Sequence, residues 1–396
     1  MRYLLALTAL MSIFFSSYSY SNQIPEEDVS KARLTLGPDR WIQLHYFLQT
    51  NFNYGKLDSE NSYDFQIRRS RIILNGQVAP KVDFFFQTDD LKAGNSSDKS
   101  KTDNDSDGAN HIFTQDAFAR LTVNRGFQIM AGLLTVPLTR TNLASQATTL
   151  CATEDSNLSV MSNYSNNGRD AGVMLRGLFG TRSLEYRLGI FDGYSRSAKD
   201  AKGRNNSDSP RLSARISWNA LENEEDESYF YSENYLGKRN VLAFGVGVDF
   251  QNKVYPTSSG KFKNYFAWGA DVAVDVNMSS ATVLLMQGGI IMGSNNPGEG
   301  LSDDETIIIP LYDEFLTFYG QAGMLFFKQV QPVMRFSYRK NTLNGGGTET
   351  LSNIAFGVNF FINSHYAAIK TLYSHPLKDS IDKDGKRLDL SFQIYM

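Results

Sequence analysis

Polar and apolar residues alternate along the chain in segments of about ten residues, and the clearest example covers residues 386–396. The positions from Leu388 to Met396 that carry apolar side chains share one face, and Arg387, Asp389 and their polar neighbours share the other, because a strand directs successive side chains to opposite sides. An apolar face of this kind packs either against the second layer of a sandwich or, in a transmembrane barrel, against lipid.

Segments of similar length recur along the whole chain, separated by turn-forming residues. They predict an all-β protein with sixteen strands, approximately at 41–50, 63–75, 78–90, 115–124, 127–136, 169–179, 183–194, 209–219, 240–251, 263–277, 280–293, 313–326, 329–341, 350–362, 365–374 and 386–395.

The connections between these segments alternate between tight turns and long polar loops. Tight turns are expected at 75–77, 124–126, 180–182, 277–279, 327–328 and 363–364, and long loops at 51–62, 91–114, 137–168, 195–208, 252–262, 294–312, 342–349 and 375–385. Short turns at one end and long loops at the other are typical of outer-membrane barrels. The pattern therefore favours a sixteen-stranded antiparallel transmembrane barrel over a sandwich.

One connection departs from the alternation, since residues 220–239 stand where a tight turn is expected. They include an acidic run from Glu222 to Glu227. Blocks of like charge are usually exposed, which favours a solvated acidic turn. The alternative is a miscounted hairpin, and the strand number stays even in both cases.

The N-terminal residues predict export. Arg2 supplies a positive charge, residues 4–15 form an apolar run, and the small residues Ser19 and Ser21 precede a cleavage site before Asn22. We therefore expect residues 1–21 to be a signal peptide and residues 22–396 to form one barrel domain in the cell outer membrane. The apolar run is shorter than the roughly twenty residues of a membrane-spanning helix.

Composition and motifs exclude several other classes of protein. The single cysteine, Cys151, permits no intrachain disulfide and no cysteine metal cluster. A net charge of -3 argues against a nucleic-acid partner. None of the GxxxxGK[ST], HExxH and GxSxG motifs occurs, and the four histidines show no metal-ligand spacing. We expect neither an enzyme nor a cofactor, although a serine near His365 in space would be the one candidate for a hydrolase.

The alternation also predicts which charged side chains point into the barrel. An arginine on the lipid face at the bilayer centre costs roughly 2–4 kcal/mol, whereas one in a watery lumen costs little. The arginines of 209–219 and 329–341 are therefore expected to face inward. Rings of arginine favour anions in a pore, but the same charges could instead pair across strands and hold register.

Seven short segments, in order along the chain, resemble the phosphate-selective porin O and P family. They are 67–72 (IRRSRI) with Gly76, 130–137 (MAGLLTVP), 168–173 (GRDAGV), 189–193 (GIFDG), 330–335 (VQPVMR), 356–360 (FGVNF) and 390–394 (LSFQI). The resemblance implies a sixteen-stranded outer-membrane barrel, usually a homotrimer, whose third outside loop folds inward and constricts the pore. It also implies that the outer-membrane assembly machinery recognises the C-terminal strand.

That third loop corresponds to residues 137–168, which include Arg140 and are followed by Arg169. Family members that prefer phosphate present clustered lysines to the anion, but this loop contains no lysine. The departure puts phosphate selectivity in doubt while leaving the predicted fold unaffected.

A second candidate site is the segment 103–108 (DNDSDG), which matches the first half of a calcium loop. Asp103, Asp105 and Asp107 would be the ligands. The twelfth position is Thr114 where a bidentate glutamate is needed, so the alternative is a plain solvated loop.

The sequence therefore predicts an outer-membrane porin through which small hydrophilic solutes and inorganic anions diffuse passively, with a mild anion preference. The residues expected to line the pore and contact anions are Arg69, Arg71, Arg120, Arg140, Arg169, Arg211, Arg215, Arg335 and Arg339. Two alternatives remain: a channel selective for phosphate or polyphosphate, and a structural or adhesive barrel with a closed lumen.

Overall fold

A computed structural model describes residues 32–57, 60–90, 112–153, 168–180, 183–193, 209–224, 229–256, 262–296, 312–343, 346–378 and 386–396. Within these ranges no helix is long and apolar enough to cross a membrane. The strands are β1 (Ala32–Gly37), β2 (Arg40–Leu57), β3 (Glu60–Ala79), β4 (Val82–Asp90), β5 (Ile112–Asn124), β6 (Phe127–Thr135), β7 (Arg169–Phe179), β8 (Leu184–Phe191), β9 (Arg211–Asn219), β10 (Val241–Pro256), β11 (Phe262–Ser279), β12 (Thr282–Asn296), β13 (Tyr312–Phe326), β14 (Val330–Leu343), β15 (Thr348–Asn363), β16 (Ala367–Lys378) and β17 (Arg387–Tyr395).

Strands β2 to β17 form a closed barrel in which each strand pairs antiparallel with the next. Closure occurs between β17 and β2, where Leu390 lies opposite Phe52 and Tyr395 opposite Phe47. A closed sheet leaves no strand edge unpaired, which is what a barrel in lipid requires. The predicted sixteen-stranded antiparallel barrel is confirmed.

The sequence pattern did not predict β1, which pairs with the beginning of β2. Leu34 lies opposite Ile42, and Thr35 opposite Trp41. Strand β17 reaches β2 only as far as Phe47, after which Met396 exchanges two backbone hydrogen bonds with Tyr46. β1 therefore continues along β2 where β17 ends, so two separate segments cover the same edge.

Alternation along each strand separates a lipid face from a lumen face. In β9, Ile216 and Trp218 are 56% and 51% exposed, whereas Arg215 and Ser217, which alternate with them, are 2% and 4% exposed. The buried residues of the barrel are thus those on its inner face, and they include most of the inward arginines. This confirms the predicted faces, because the arginines avoid the lipid-facing side.

The ends of several strands differ from the prediction. The turn expected at 75–77 lies at 80–81, since Asn75 and Gly76 continue β3 and pair with Gln43 and Ile42. A side chain at Gly76 would meet the Trp41 carbonyl oxygen at 2.3 Å, so this glycine permits close strand approach. The turn expected at 277–279 likewise lies at 280–281.

The connections define two ends of the barrel. At what we call the turn end lie the tight turns 80–81, 125–126, 180–183, 280–281, 327–329 and 364–366. At the opposite loop end several strands run further than predicted, and only residues 58–59 separate β2 from β3. Polar residues of the expected 51–62 loop pair as strand instead, for example Asn53 with Asp64.

Candidate functional site in the barrel lumen

The first half of the predicted third loop lies against the inner wall. Leu138, Leu143 and Leu150 are fully buried, and inward side chains from widely separated strands donate hydrogen bonds to loop carbonyls. These are Arg215 Nη1 to Leu138 O (3.2 Å), Gln393 Nε2 to Ala147 O (2.8 Å), Lys370 Nζ to Thr149 O (2.8 Å), Asn359 Nδ2 to Leu150 O (2.8 Å) and Arg335 Nη1 to Thr153 O (2.6 Å). Residues 137–153 therefore extend from β9 to β14–β17 on the other side of the lumen, while residues 154–167 lie outside the described part of the chain.

Two glycines form the seat of this loop on the wall. Gly247 of β10 and Gly269 of β11 are directly opposite each other. A Cβ atom at Gly247 would lie 2.1 Å from the Leu138 carbonyl oxygen, and one at Gly269 would lie 2.7 Å from the Thr139 side chain. The loop backbone can approach the wall here only because both wall residues are glycines, which have no Cβ atom.

The connection between β9 and β10 also enters the lumen, so the expected solvated acidic turn is wrong for most of its described residues. Tyr229, Tyr231 and Leu236 are buried. Tyr229 donates a hydrogen bond to Thr135 O (3.0 Å), Asn234 Nδ2 donates to Gln331 (3.1 Å), and the Glu233 carbonyl accepts one from Gln287 (2.8 Å). Glu222 alone among the described acids of 220–224 stays at the surface, where it accepts a hydrogen bond from Asn240.

The two inserted segments are joined to each other. Tyr231 donates its backbone N–H to Leu143 O and accepts from Ser145 N–H, both at 2.8 Å. Arg140 forms a buried ion pair with Glu224 and donates a further hydrogen bond to Ser232 O (2.8 Å). We refer to residues 137–153 and 229–240 together as the lumen insert.

Tyr231 lies at the centre of a cluster of arginines. The guanidinium carbons of Arg140, Arg187 and Arg215 lie 4.9, 4.9 and 5.7 Å from its ring centroid. Its hydroxyl donates a 2.6 Å hydrogen bond to Glu185, which also pairs with Arg187. Cation–π contacts of this kind are stronger where water is excluded. A cavity of about 50 Å³ adjoins the cluster, lined in part by Arg176, Asn219 and Glu224.

Two titratable groups of the connections are strongly affected by burial. Burial, together with the charges of Lys370 and Lys238, lowers the pKa of His365 to about 3. The ring is therefore neutral at neutral pH, and its Nε2–H donates to Asn234 O at 2.8 Å. Burial raises the pKa of Glu233, although hydrogen bonds from Leu150 and Gln321 oppose the shift. His365 therefore links the 364–366 turn to the lumen insert.

Six of the nine predicted pore arginines are bonded to carboxylates. The pairs within the barrel wall are Arg71 with Asp89 (2.5 Å), Arg120 with Asp83 (2.9 Å), Arg169 with Asp116 (3.2 Å), Arg211 with Asp249 (2.6 Å) and Arg215 with Asp271 (2.7 Å), and Arg140 of the lumen insert pairs with Glu224. These residues do point inward, and their charges are largely compensated locally. A role in contacting anions stays a prediction.

The contacts of Arg69, Arg335 and Arg339 include hydrogen bonds to neutral acceptors. Arg69 bonds to Gln49, Arg335 to the Thr153 carbonyl, and Arg339 to Asn341 (2.8 Å). Arg335 and Arg339 lie on β14. Arg69 lies on β3, close enough to Lys370 for the two positive charges to repel each other. Asp103, Asp105 and Asp107 lie outside the described residues.

Some of these contacts had no recognisable signal in the sequence. The partners of the Arg140–Glu224 pair are 84 positions apart, and nothing near either residue indicates the other. The aromatic residues Tyr229, Phe230, Tyr231 and Tyr235 were a usable signal, since a solvated turn has little reason to carry four of them.

Comparison with known proteins agrees with this geometry. The family model described as phosphate-selective porin O and P matches residues 42–279, which is more than half of the chain. The chain belongs to this porin family. No curated protein matches the sequence. As a member of the family it is an outer-membrane porin, and its fold and family are those of a channel.

Several solved structures share the fold of this porin at low sequence identity. Salmonella typhi OmpF, solved in complex with daunomycin, is 13% identical over 90% of this chain and 98% of its own, with a TM-score of 0.61. The outer membrane channel DcaP of Acinetobacter baumannii is 14% identical over 92% and 99%, with a TM-score of 0.55. The trimer form of Vibrio cholerae OmpT is 10% identical over 90% and 100%, with a TM-score of 0.52.

Proposed function

We propose that this porin is a passive diffusion channel for small hydrophilic solutes with a mild preference for anions. The observation that carries the preference is the unequal distribution of inward charge. On β3 and β14–β17 the inward cations Arg69, Arg71, Arg335, Arg339, Lys370 and Arg387 outnumber the described inward acids Asp64, Glu349 and Asp389. Passage through a pore needs no catalytic residue and no cofactor.

The opposite wall has no such excess. On β9–β11, the described inward cations Arg211, Arg215 and Lys263 equal in number the described inward acids Asp249, Asp271 and Asp275. In a sixteen-stranded ring, β10 lies eight strands from β2, so the balanced wall stands across the lumen from the basic one. Ion pairs reduce the local charge, but the net excess on the basic wall still acts on a permeating ion where the water layer is narrow.

The test is the reversal potential in a planar bilayer under a salt gradient. Wild-type porin should prefer chloride over potassium, and Arg335→Gln with Arg339→Gln should reduce that preference. Lys340→Gln removes a positive charge from the outer face of the same strand and is the matched control. A cation preference in the wild type, or equal shifts in the control, would contradict the proposal.

Selectivity for phosphate or polyphosphate is the second candidate, and the family name is what favours it. The contacts of Arg140 and Arg169 with Glu224 and Asp116 weaken it, since an anion would have to compete with those carboxylates. We expect millimolar phosphate to leave chloride current unblocked. A block that Arg169→Gln relieves would favour the phosphate channel instead.

A closed, structural or adhesive barrel is the third candidate, favoured by the space that the lumen insert occupies. Liposome swelling distinguishes it from a porin. Sugars of increasing size should enter liposomes that contain the protein up to a cut-off, whereas a closed barrel would admit none of them.

We further infer three features of assembly. Residues 1–21 are removed on export, which N-terminal sequencing of the mature protein would test. The porin forms homotrimers, as mass measurement in detergent would show. The assembly machinery recognises β17 together with Met396, the exposed residue that follows it. Met396→Phe should leave conductance unchanged and raise or preserve the inserted amount, and a fall would count against this inference.

A further inference from the structure

We propose that the β9–β10 connection is a latch that holds the third loop in the lumen, and that Glu224 and Glu233 are the positioning residues that set the size limit of the pore. The inference deepens the proposed diffusion function and rests on it. Neither glutamate touches a permeating solute in this proposal; both act through the loop.

The two segments approach each other from opposite ends of the barrel. The third loop leaves β6 at the loop end, and the connection leaves β9 at the turn end. A loop tethered at one end of the barrel can swing out toward that end. A contact from a segment that enters at the other end opposes that motion. The barrel wall, which runs parallel to the motion, opposes it less directly.

The contacts between the segments are distributed along the loop. The Arg140–Glu224 ion pair holds its beginning. The backbone pairing of Tyr231 with Leu143 and Ser145 holds its middle. At its far end the Glu233 carboxylate accepts a 2.9 Å hydrogen bond from Leu150 N–H, and Thr148 Oγ1 accepts one from Glu233 N–H at 3.2 Å.

The ion pair is the contact with the largest effect on removal. Its side chains are 4% and 8% exposed, and removing one partner of a buried pair leaves the other charge uncompensated. Without the carboxylate, the Arg140 guanidinium would lose its ion pair and keep the hydrogen bond to the neutral Ser232 O. We expect the guanidinium to regain water by releasing the loop.

The sequence provides its own reporter of loop position. Cys151 is the only cysteine of the chain. It follows Leu150 directly, is 3% exposed, and belongs to a buried cluster that includes Leu236 of the connection. A maleimide can reach this thiol only when the loop separates from its surroundings.

The experiment compares maleimide labelling and single-channel conductance of the folded, full-length porin and its variants. Glu224→Gln should label at least about tenfold faster than wild type, because loss of the buried pair favours local opening. Its conductance and its sugar cut-off in liposomes should both shift upward. Glu222→Gln, an exposed acid of the same connection, is the matched control and should match wild type in each measurement.

Conservative and alternative variants keep the test decisive. Glu224→Asp retains the charge and should restore slow labelling in part. If Glu224→Gln does not give the heat-modifiable mobility of a folded barrel, Glu233→Gln serves as the second variant with the same expected direction. Labelling and conductance both equal to wild type would overturn the latch, and faster labelling with unchanged conductance and cut-off would overturn its role in pore size. A non-conducting wild type would refute the diffusion function, yet labelling would still report whether the loop is held.

Discussion

Gly247→Ala should displace the third loop from its seat on β10. The new Cβ atom would lie 2.1 Å from the Leu138 carbonyl oxygen and 2.9 Å from its carbonyl carbon. Ordinary contact begins at 3.4 Å, so the oxygen has to retreat by about 1.3 Å, the difference between the two distances. Backbone atoms cannot rotate aside as a flexible side chain can, and overpacking of this kind costs about 1–3 kcal/mol.

The retreat also weakens the hydrogen bond from Arg215 to Leu138 O and the neighbouring one from Arg140 N–H to Asp271 (3.0 Å). Each 1.4 kcal/mol is about a tenfold change in an equilibrium, so the docked loop should lose about tenfold or more in occupancy. Maleimide labelling of Cys151 and single-channel noise should both rise.

The control is Gly320→Ala, since the nearest atom to a Cβ there is 4.0 Å away. Both substitutions place an alanine in a strand of the same barrel, and only one contacts the loop. If the two variants label and conduct alike, the glycine seat does not determine the position of the loop.

Three further changes have defined outcomes. As the pH falls from about 6.5, the ordinary pKa of histidine, toward 3, the cost of placing a charge on the buried His365 ring should progressively destabilise its docked position, seen as channel noise that His365→Gln lacks. Arg211→Gln leaves Asp249 buried and uncompensated, so it should destabilise the barrel by about 3–5 kcal/mol in urea unfolding and move the reversal potential toward cation preference. Ile216→Arg places a charge on the lipid face and should reduce stability in bilayers by about 2–4 kcal/mol if near the midplane; no loss would contradict the face assignment.

The strand faces could be predicted from sequence because they depend on local physics. Arg215 and Ile216 are adjacent, and the free-energy cost of exposing the arginine to lipid is much larger than that of exposing the isoleucine. Alternation alone therefore assigns Arg215 to the lumen face and Ile216 to the lipid face. The turn at 125–126 was predictable for a similar reason, since Gly126 ends a clear apolar alternation. Asn75-Gly76 looked equally turn-like, but pairing with β2 and contact with Phe84 fixed it inside a strand.

The lumen insert was predictable only in part. An inward-folded third loop was expected from the family resemblance alone. The length and composition of a polar loop say little about whether it folds inward. The burial within 229–240 was missed because an acidic run is normally solvated. In the structure, Glu224 forms an ion pair with Arg140, and the Tyr231 ring contacts Arg187 and Arg215 of the wall. The closed barrel determines which residues become partners, so the aromatic residues could indicate burial but not the arginines that they contact.

The edge of β2, covered partly by β17 and partly by β1, has a consequence for how the protein folds. Tyr46 and Met396 exchange backbone hydrogen bonds although 350 positions separate them, whereas β1 reaches the same edge through a turn of two residues. Contacts between distant positions carry a large loop-closure entropy and form slowly. The hairpin of β1 and β2 can therefore form early and pair the beginning of the β2 edge. The rest of that edge stays unpaired until β17 is in place.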